Sequence, residues 1–206
     1  MLDIIYLAHR RVWGSSTASD IRLSTANRIA RIVTDTSAGL ARIHRLSNSG
    51  AELSSALHLS IGKSIRLDLS ETISTEATVM CRSEKRYKLL FDHDVNCAML
   101  LRQLVAEART SHSRPLRLNT PSLEASGESS IGLHCLKIDN ISQRGLRMQH
   151  DGSFQEGLPL RIHLKNGREC RGLVRWSNDD FAGVQLIDLL SVDELGDVNR
   201  LAGGST

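Results

Sequence analysis

The sequence predicts a mainly β protein made of two copies of one small antiparallel unit, each a barrel or a sandwich followed by a helix. Three observations carry this: a gapless internal repeat, two-residue hydrophobic alternation in short segments, and helical apolar spacing at the end of each copy. Sliding the 206-residue chain by 95 positions lays Ser47 on Ser142, Gly50 on Gly145, Gly62 on Gly157 and Val79 on Val174. The segment SIRLDL (64–69) falls on PLRIHL (159–164), and Leu89 and Phe91 fall on Val184 and Leu186. Self-similarity at a fixed period over matched glycines marks a duplicated structural unit.

In the first copy, ARIHRLS, SIRLDL, EATVMCR and RYKLLF alternate apolar with polar residues, and in the second LHCLKIDNIS, LPLRIHL, RGLVRW and FAGVQLI do the same. A period of two puts one face of each strand in a core and the other in water. Gly, Asn, Asp and Ser mark the turns between them, as in LKNGREC and RWSNDDFAG. Many short strands at this spacing suit a small barrel or sandwich. After the first set, Val95, Ala98, Leu101, Leu104, Val105 and Ala108 recur at helical spacing, with Asp94 or Asn96 as the cap. After the second, Ser191-Val-Asp-Glu194 is a capping box leading to Leu195, Val198 and Leu201. The expected organisation is an N-terminal extension (1–26), a first domain (27–108), a second domain (109–200) entered through the linker TSHS (110–113), and a disordered tail (201–206).

Composition narrows the function. The net charge is +3, from 26 Lys+Arg against 23 Asp+Glu, and only seven side chains are aromatic. A general nucleic-acid binder carries a stronger basic excess, and a single-strand binder needs aromatic platforms for bases. No apolar run approaches the ~20 residues that span a bilayer, and the start MLDIIYLAHRRVW has its charges after its apolar stretch, the reverse of a secretory signal. A cytoplasmic protein is expected. Cys81, Cys97, Cys135 and Cys170 form no C-x-x-C pair, so no metal site and no disulfide framework is expected, and the four read as small buried hydrophobes. His134 beside Cys135 reads as a strand residue. Gly62-Lys63-Ser64 looks like the end of a P-loop, but Leu57 stands where that motif needs glycine, so a strand-entry turn is expected. There is no G-x-S-x-G elbow and no compelling carboxylate pair; no catalytic residues and no cofactor are expected.

The second copy carries Asn140-Ile-Ser142-Gln-Arg-Gly145, preceded by Arg114 and Arg117 and followed by a strand ending in Trp176 and then Gly183-Val-Gln-Leu186. This order resembles the PilZ domain family over about residues 113–200, and more weakly over 27–106, so the chain resembles a tandem PilZ protein. The resemblance implies two six-stranded antiparallel β-barrels in tandem, each with a flanking helix. It also implies binding of the bacterial second messenger cyclic di-GMP through R-x-x-x-R before the first strand and [D/N]-x-S-x-x-G at the second. The implied ligand residues are Arg114, Arg117, Asn140, Ser142 and Gly145, with Arg28, Arg31, Ser47 and Gly50 as degenerate equivalents in the first domain. The chemistry suits such a ligand. Arginine forks pair with phosphate and with the guanine O6/N7 edge, guanidinium planes stack on bases, and an amide can reach a base edge or hold an arginine.

Two departures matter. Both copies have R-x-x-R; in an extended segment that odd separation sends the two side chains to opposite sides, whereas a loop could bring them together. Arg45 stands where Asn or Asp is expected, so the first copy is expected to have lost the site. Asn140 and Ser142 also fit a turn whose side chains bond their own backbone, Gly145 and Gly50 fit turn glycines, and Trp176 fits a core or barrel-rim aromatic. The expected function is a non-catalytic cyclic di-GMP receptor that signals through domain rearrangement or through an unidentified protein partner, in control of motility, attachment or exopolysaccharide. A PilZ-like adaptor that binds no nucleotide is the second reading.

Overall fold

Segments of two-residue alternation become strands throughout the computed structural model, which describes residues 21–22, 28–109 and 114–203. The chain divides into two compact units between Arg114 and Pro115. The expected N-terminal extension lies outside the described residues except for 21–22, and the linker 110–113 and the last three tail residues lie outside them entirely. Leu201, assigned to the tail by sequence, is buried.

The first unit contains β1 (Ile21–Arg22), β2 (Ile29–Val33), β3 (Ala38–Leu46), β4 (Gly50–Ser55), β5 (Ser64–Asp68), β6 (Ser74–Ser83), β7 (Arg86–Phe91) and helix α1 (Cys97–Arg109). Its sheet runs β1-β3-β2-β5-β6-β7-β4, and a β3–β4 pairing closes six strands into a ring with β1 added beside β3. The second unit contains β8 (Leu118–Ser129), β9 (Gly132–Ser142), β10 (Gly145–Gln149), β11 (Pro159–Leu164), β12 (Glu169–Ser177), β13 (Phe181–Leu186) and the one-turn helix α2 (Val198–Leu201). Its strands close as β10-β13-β12-β11-β8-β9. All pairings are antiparallel, so the chain holds two six-stranded antiparallel barrels in tandem. Closure leaves no sheet edge unpaired within either ring.

The duplication extends to register. Ile43 faces Leu53 and Arg45 faces Glu52, leaving His44 as an extra, bulged residue; correspondingly Ile138 faces Met148 and Asn140 faces Arg147, leaving Asp139 bulged. A second bulge at Met80 between Val79 and Cys81 returns at Arg175 between Val174 and Trp176. A bulge bends its strand and re-aims the next side chain, so both rings turn their corners at the same residues. The expected strand-entry turn is also present twice: Gly62 and Gly157 take φ of 81° and 88°, and each amide donates to a core valine carbonyl, Val79 and Val174.

Inward residues fill each ring. Ile32, Ile43, Leu53, Leu67, Val79 and Leu89 lie in one buried cluster of the first unit, with Tyr87 sending its hydroxyl to accept from the Leu59 amide. Leu118, Ile138, Ile141, Met148, Ile162 and Val174 are buried in the second. Truncating one such side chain to alanine costs about 2–5 kcal/mol.

Several elements differ from the sequence reading. Strands β1, β2, β4, β8 and β10 are not among the alternating segments: β1, β2, β4 and β10 are short, and β8, although 12 residues long, is mostly polar, so all five carry little periodic apolar contrast. The buried stripe of α1 is Cys97, Leu100 and Leu104, one residue out of phase with the expected one; Val105 is exposed. Asn96 is the cap, its side-chain oxygen accepting from the Met99 amide. In the second unit the capping box forms, with Ser191 and Glu194 exchanging bonds of 2.8 and 3.1 Å. The chain then breaks at Gly196 and restarts from Asp197, whose carboxylate caps a single turn. Glycine lacks the helical preference needed to continue. Cys97 and Cys170 are buried, but Cys135 is exposed and Cys81 partly so, since both face outward on their strands. Burial pushes the Cys170 thiol up from its ordinary value.

Candidate functional site

Residues opposite one another in adjacent strands share a face. On the second barrel Asn119 faces Asn140, Asn140 faces Arg147, Arg147 faces Gly183 and Gly183 faces Trp176. Their strand neighbours Ile141, Leu146, Met148, Ala182, Val184 and Val174 are buried, so this row of five positions crosses the outer face.

Arg117, on the segment entering β8, reaches the row: its Nη1 donates to Asn140 Oδ1 at 3.1 Å. The Asn140 amide donates in turn to Asp139 Oδ2 at 3.3 Å. Arg147 lies with its guanidinium carbon 4.0 Å from the centroid of the Phe181 ring, its Nε 3.6 Å from Asp139 Oδ2 and buried without a hydrogen-bond partner among the described residues. A cation stacked on an aromatic face is held in place while its other face stays available. Trp176 covers Gly183 so closely that a Cβ there would stand 2.0 Å from the indole Nε1, yet the residue is 44% exposed. The arrangement offers cationic donors for phosphate, an amide, and two flat surfaces for a heterocycle.

Ser142 and Gly145 shape the β9–β10 turn. Ser142 is 1% exposed and its hydroxyl donates to the Gly145 carbonyl at 3.0 Å. A Cβ on Gly145 would stand 2.6 Å from the Val184 carbonyl oxygen, so only glycine fits against β13. The turn also anchors the segment after the barrel through Gln143, whose carbonyl accepts from Leu190 and whose amide donates back at 3.1 Å. Arg114 is exposed and ends the first unit.

The first barrel has the same turn, with Ser47 and Gly50 exchanging side-chain bonds of 3.1 Å and Asn48 anchoring the amides of Val95 and Cys97. Its outer row differs: Arg45 faces Glu52, and beyond them come Lys88 and Cys81 in the places of Gly183 and Trp176. Arg86, in the place of Phe181, donates to Glu52 Oε1 at 2.9 Å. Register also corrects the arginine correspondence. Arg28, whose carbonyl accepts from Ile43, occupies the position of Leu123, and Arg31 that of Ser126. Ile21 faces Leu46 as Leu118 faces Ile141, so Asp20 and Thr17 hold the sequence positions of Arg117 and Arg114. Arg31 instead pairs with buried Asp68 at 2.7 Å, and burial lowers the pKa of Arg28. Its nearness in sequence to the first strand, not its register, suggested the pairing of Arg28 with Arg114.

Sequence reasoning missed Arg147 and Phe181 and placed Trp176 in the core or rim. Arg147 was visible as the polar residue between Leu146 and Met148, two positions past Gly145. No protein-family model and no curated protein matches the chain. Among solved structures it is similar to PlzA of Borreliella burgdorferi in complex with c-di-GMP, at 14% identity and TM-score 0.35, covering 93% of this chain and 95% of that one. It is also similar to YcgR of Escherichia coli in complex with c-di-GMP (9%, TM-score 0.33, 81% and 78% covered). A third is the inhibitor of motility MotI/DgrA of Bacillus subtilis (13%, TM-score 0.33, 84% and 92%).

Proposed function

We propose that the second unit is a non-catalytic, cytoplasmic receptor module for cyclic di-GMP. The observation that carries this reading is the convergence of Arg117, Asn140, Arg147 and Trp176 on one outer face, beside the N-x-S-x-x-G turn. Cyclic di-GMP has two phosphodiester charges and two guanines. Arg117, with Arg114 three residues before it, supplies forks for phosphate or for the guanine O6/N7 edge. Asn140 holds Arg117 and reaches a base edge. Arg147 offers its open face, and Trp176 its exposed indole, for stacking. Ser142 and Gly145 act by shaping the turn that carries Asn140 and Arg147. Because the two arginines precede the barrel, on the segment joining the units, ligand capture there is linked to the arrangement of the domains and to partner affinity. Motility, attachment and exopolysaccharide control are the outputs that the family resemblance implies.

Calorimetric titration of the whole protein with cyclic di-GMP tests this, beside Arg117→Ala and Asn140→Ala and with GTP and cyclic di-AMP as controls. Saturable binding lost in both variants supports the reading. Absence of heat and of any thermal shift in the unsubstituted protein sinks it and leaves a nucleotide-free adaptor.

A further inference from the structure

The first barrel has a second outward row, two residues along the strands from Arg45 and Glu52. Arg42 faces Ser54, and Ser54 faces Arg86. The flanking residues Ala41, Ile43, Leu53 and Tyr87 are buried, so all three side chains stand on the outer face with a hydroxyl between two guanidinium groups. His44, freed by the bulge, brings its Nε2 to 2.9 Å from Ser54 Oγ. Arg86 spends Nη1 on Glu52. The side chain of Arg42 makes no hydrogen bond or ion pair among the described residues. The second barrel holds Lys137, Gln149 and Phe181 at these register positions, so the cluster belongs to the first barrel alone.

We propose that Arg42, Ser54 and Arg86 form a seat for a dianionic phosphate group, either inorganic phosphate or a phosphate monoester. Cross-strand neighbours on one face stand about 5 Å apart at Cβ, so two guanidinium forks flanking a hydroxyl converge on the oxygens of one tetrahedral anion. Charge-assisted bonds of this kind are roughly twice as strong as neutral ones. Burial first, then the charge of Arg86, lowers the pKa of His44, with Glu52 opposing and Arg42 adding to the effect. A neutral imidazole that donates from Nε2 to Ser54 Oγ turns the hydroxyl proton outward, toward the anion. Glu52, clamped to Arg86 in the adjacent row, repels an anion from its own row and confines it to Ser54. The doubly charged form suits two facing arginines better than a diester, so this seat discriminates against the ligand proposed for the second unit and does not rest on that reading.

The test uses the full chain and inorganic phosphate, with ionic strength held constant by chloride. The His44 imidazole resonances and the melting temperature are followed. A saturable shift of His44 is expected, weakened about tenfold in Arg42→Gln and in Ser54→Ala and unchanged in Arg117→Ala. O-phosphoserine run in parallel separates the sources: tighter binding than phosphate identifies a monoester, weaker binding the free ion. Retained spectra in Ser54→Ala guard against a folding defect in Arg42→Gln. An equal response to chloride, or an undiminished response in both variants, overturns the proposal.

Discussion

From β2 and Leu123 onward the two barrels share their strand registers and both bulges, yet their outer faces at the same positions have opposite character. Asn140, Arg147, Gly183 and Trp176 make an open cationic and aromatic face in the second; Arg45, Glu52, Lys88 and Cys81 make a charged face in the first, its Glu52 paired with Arg86 of the adjacent row. What stays constant is what the backbone requires. Ser47 and Ser142 satisfy the same tight turn, and the turn residue next to each anchors the segment after the barrel. What varies points outward from the barrel core, where a substitution costs the fold less than one in the core. The N-x-S-x-x-G pattern is therefore two devices in one: Ser and Gly build a turn, and the residue at the Asn position stands on the outer face.

The largest expected effect comes from copying one face onto the other. Arg147→Glu installs the first barrel's residue in the proposed site, and like charge facing an anionic ligand costs several kcal/mol. Cyclic di-GMP affinity should fall by about a hundredfold or more by calorimetry, while Arg45→Ala leaves it unchanged. Equal losses in the two variants would break the distinction between the faces. Next comes Gly145→Ala. Its Cβ meets a backbone carbonyl, and relieving that overlap costs about 1–3 kcal/mol, read as a lower melting temperature even without ligand.

Ser47→Ala and Ser142→Ala should each cost about 1 kcal/mol by denaturant titration. Near-equal costs sharpen the view that both serines are turn residues; a far larger loss at either one contradicts it. The smallest effect is an acid sensitivity carried by a pair that the second unit alone has. Arg171 donates to Asp188 from Nε, Nη2 and its backbone amide, holding the carboxyl well below the usual aspartate range. Glu76 and His93 take these positions in the first unit. A depressed folded pKa means that the contribution is complete above the unfolded value, about 3.9, and is lost as pH falls toward the folded value. Asp188→Asn should flatten that acid limb slightly, and salt should flatten it further, since the pair is exposed.

Much of the fold was legible because the repeat and the two-residue alternation are one-dimensional signals. Ser47 over Ser142 and Gly62 over Gly157 located turns that the structure contains. The helix after the first barrel was legible in extent but not in phase, since Leu100, Leu101, Leu104 and Val105 allow two adjacent stripes and the barrel's own surface selects one. The helix after the second was overextended because a capping box states where a helix starts, whereas Gly196 ends it within a turn. Of the site, Asn140 and Arg117 were legible as motif residues.

By itself the sequence determined that this chain is a duplicated antiparallel β protein whose two copies differ at Arg45 and Asn140. Those facts follow from local spacing and residue type, which any sequence displays. Only the tertiary structure decided that Arg28 and Arg31 are not the counterparts of Arg114 and Arg117, and that Arg147, Phe181 and Trp176 share a face with Asn140. Both are matters of strand register, which joins residues tens of positions apart. A bulge shifts that register by one and turns a side chain to the other face, and a bulge is set by the closure of the ring rather than by the residues that occupy it.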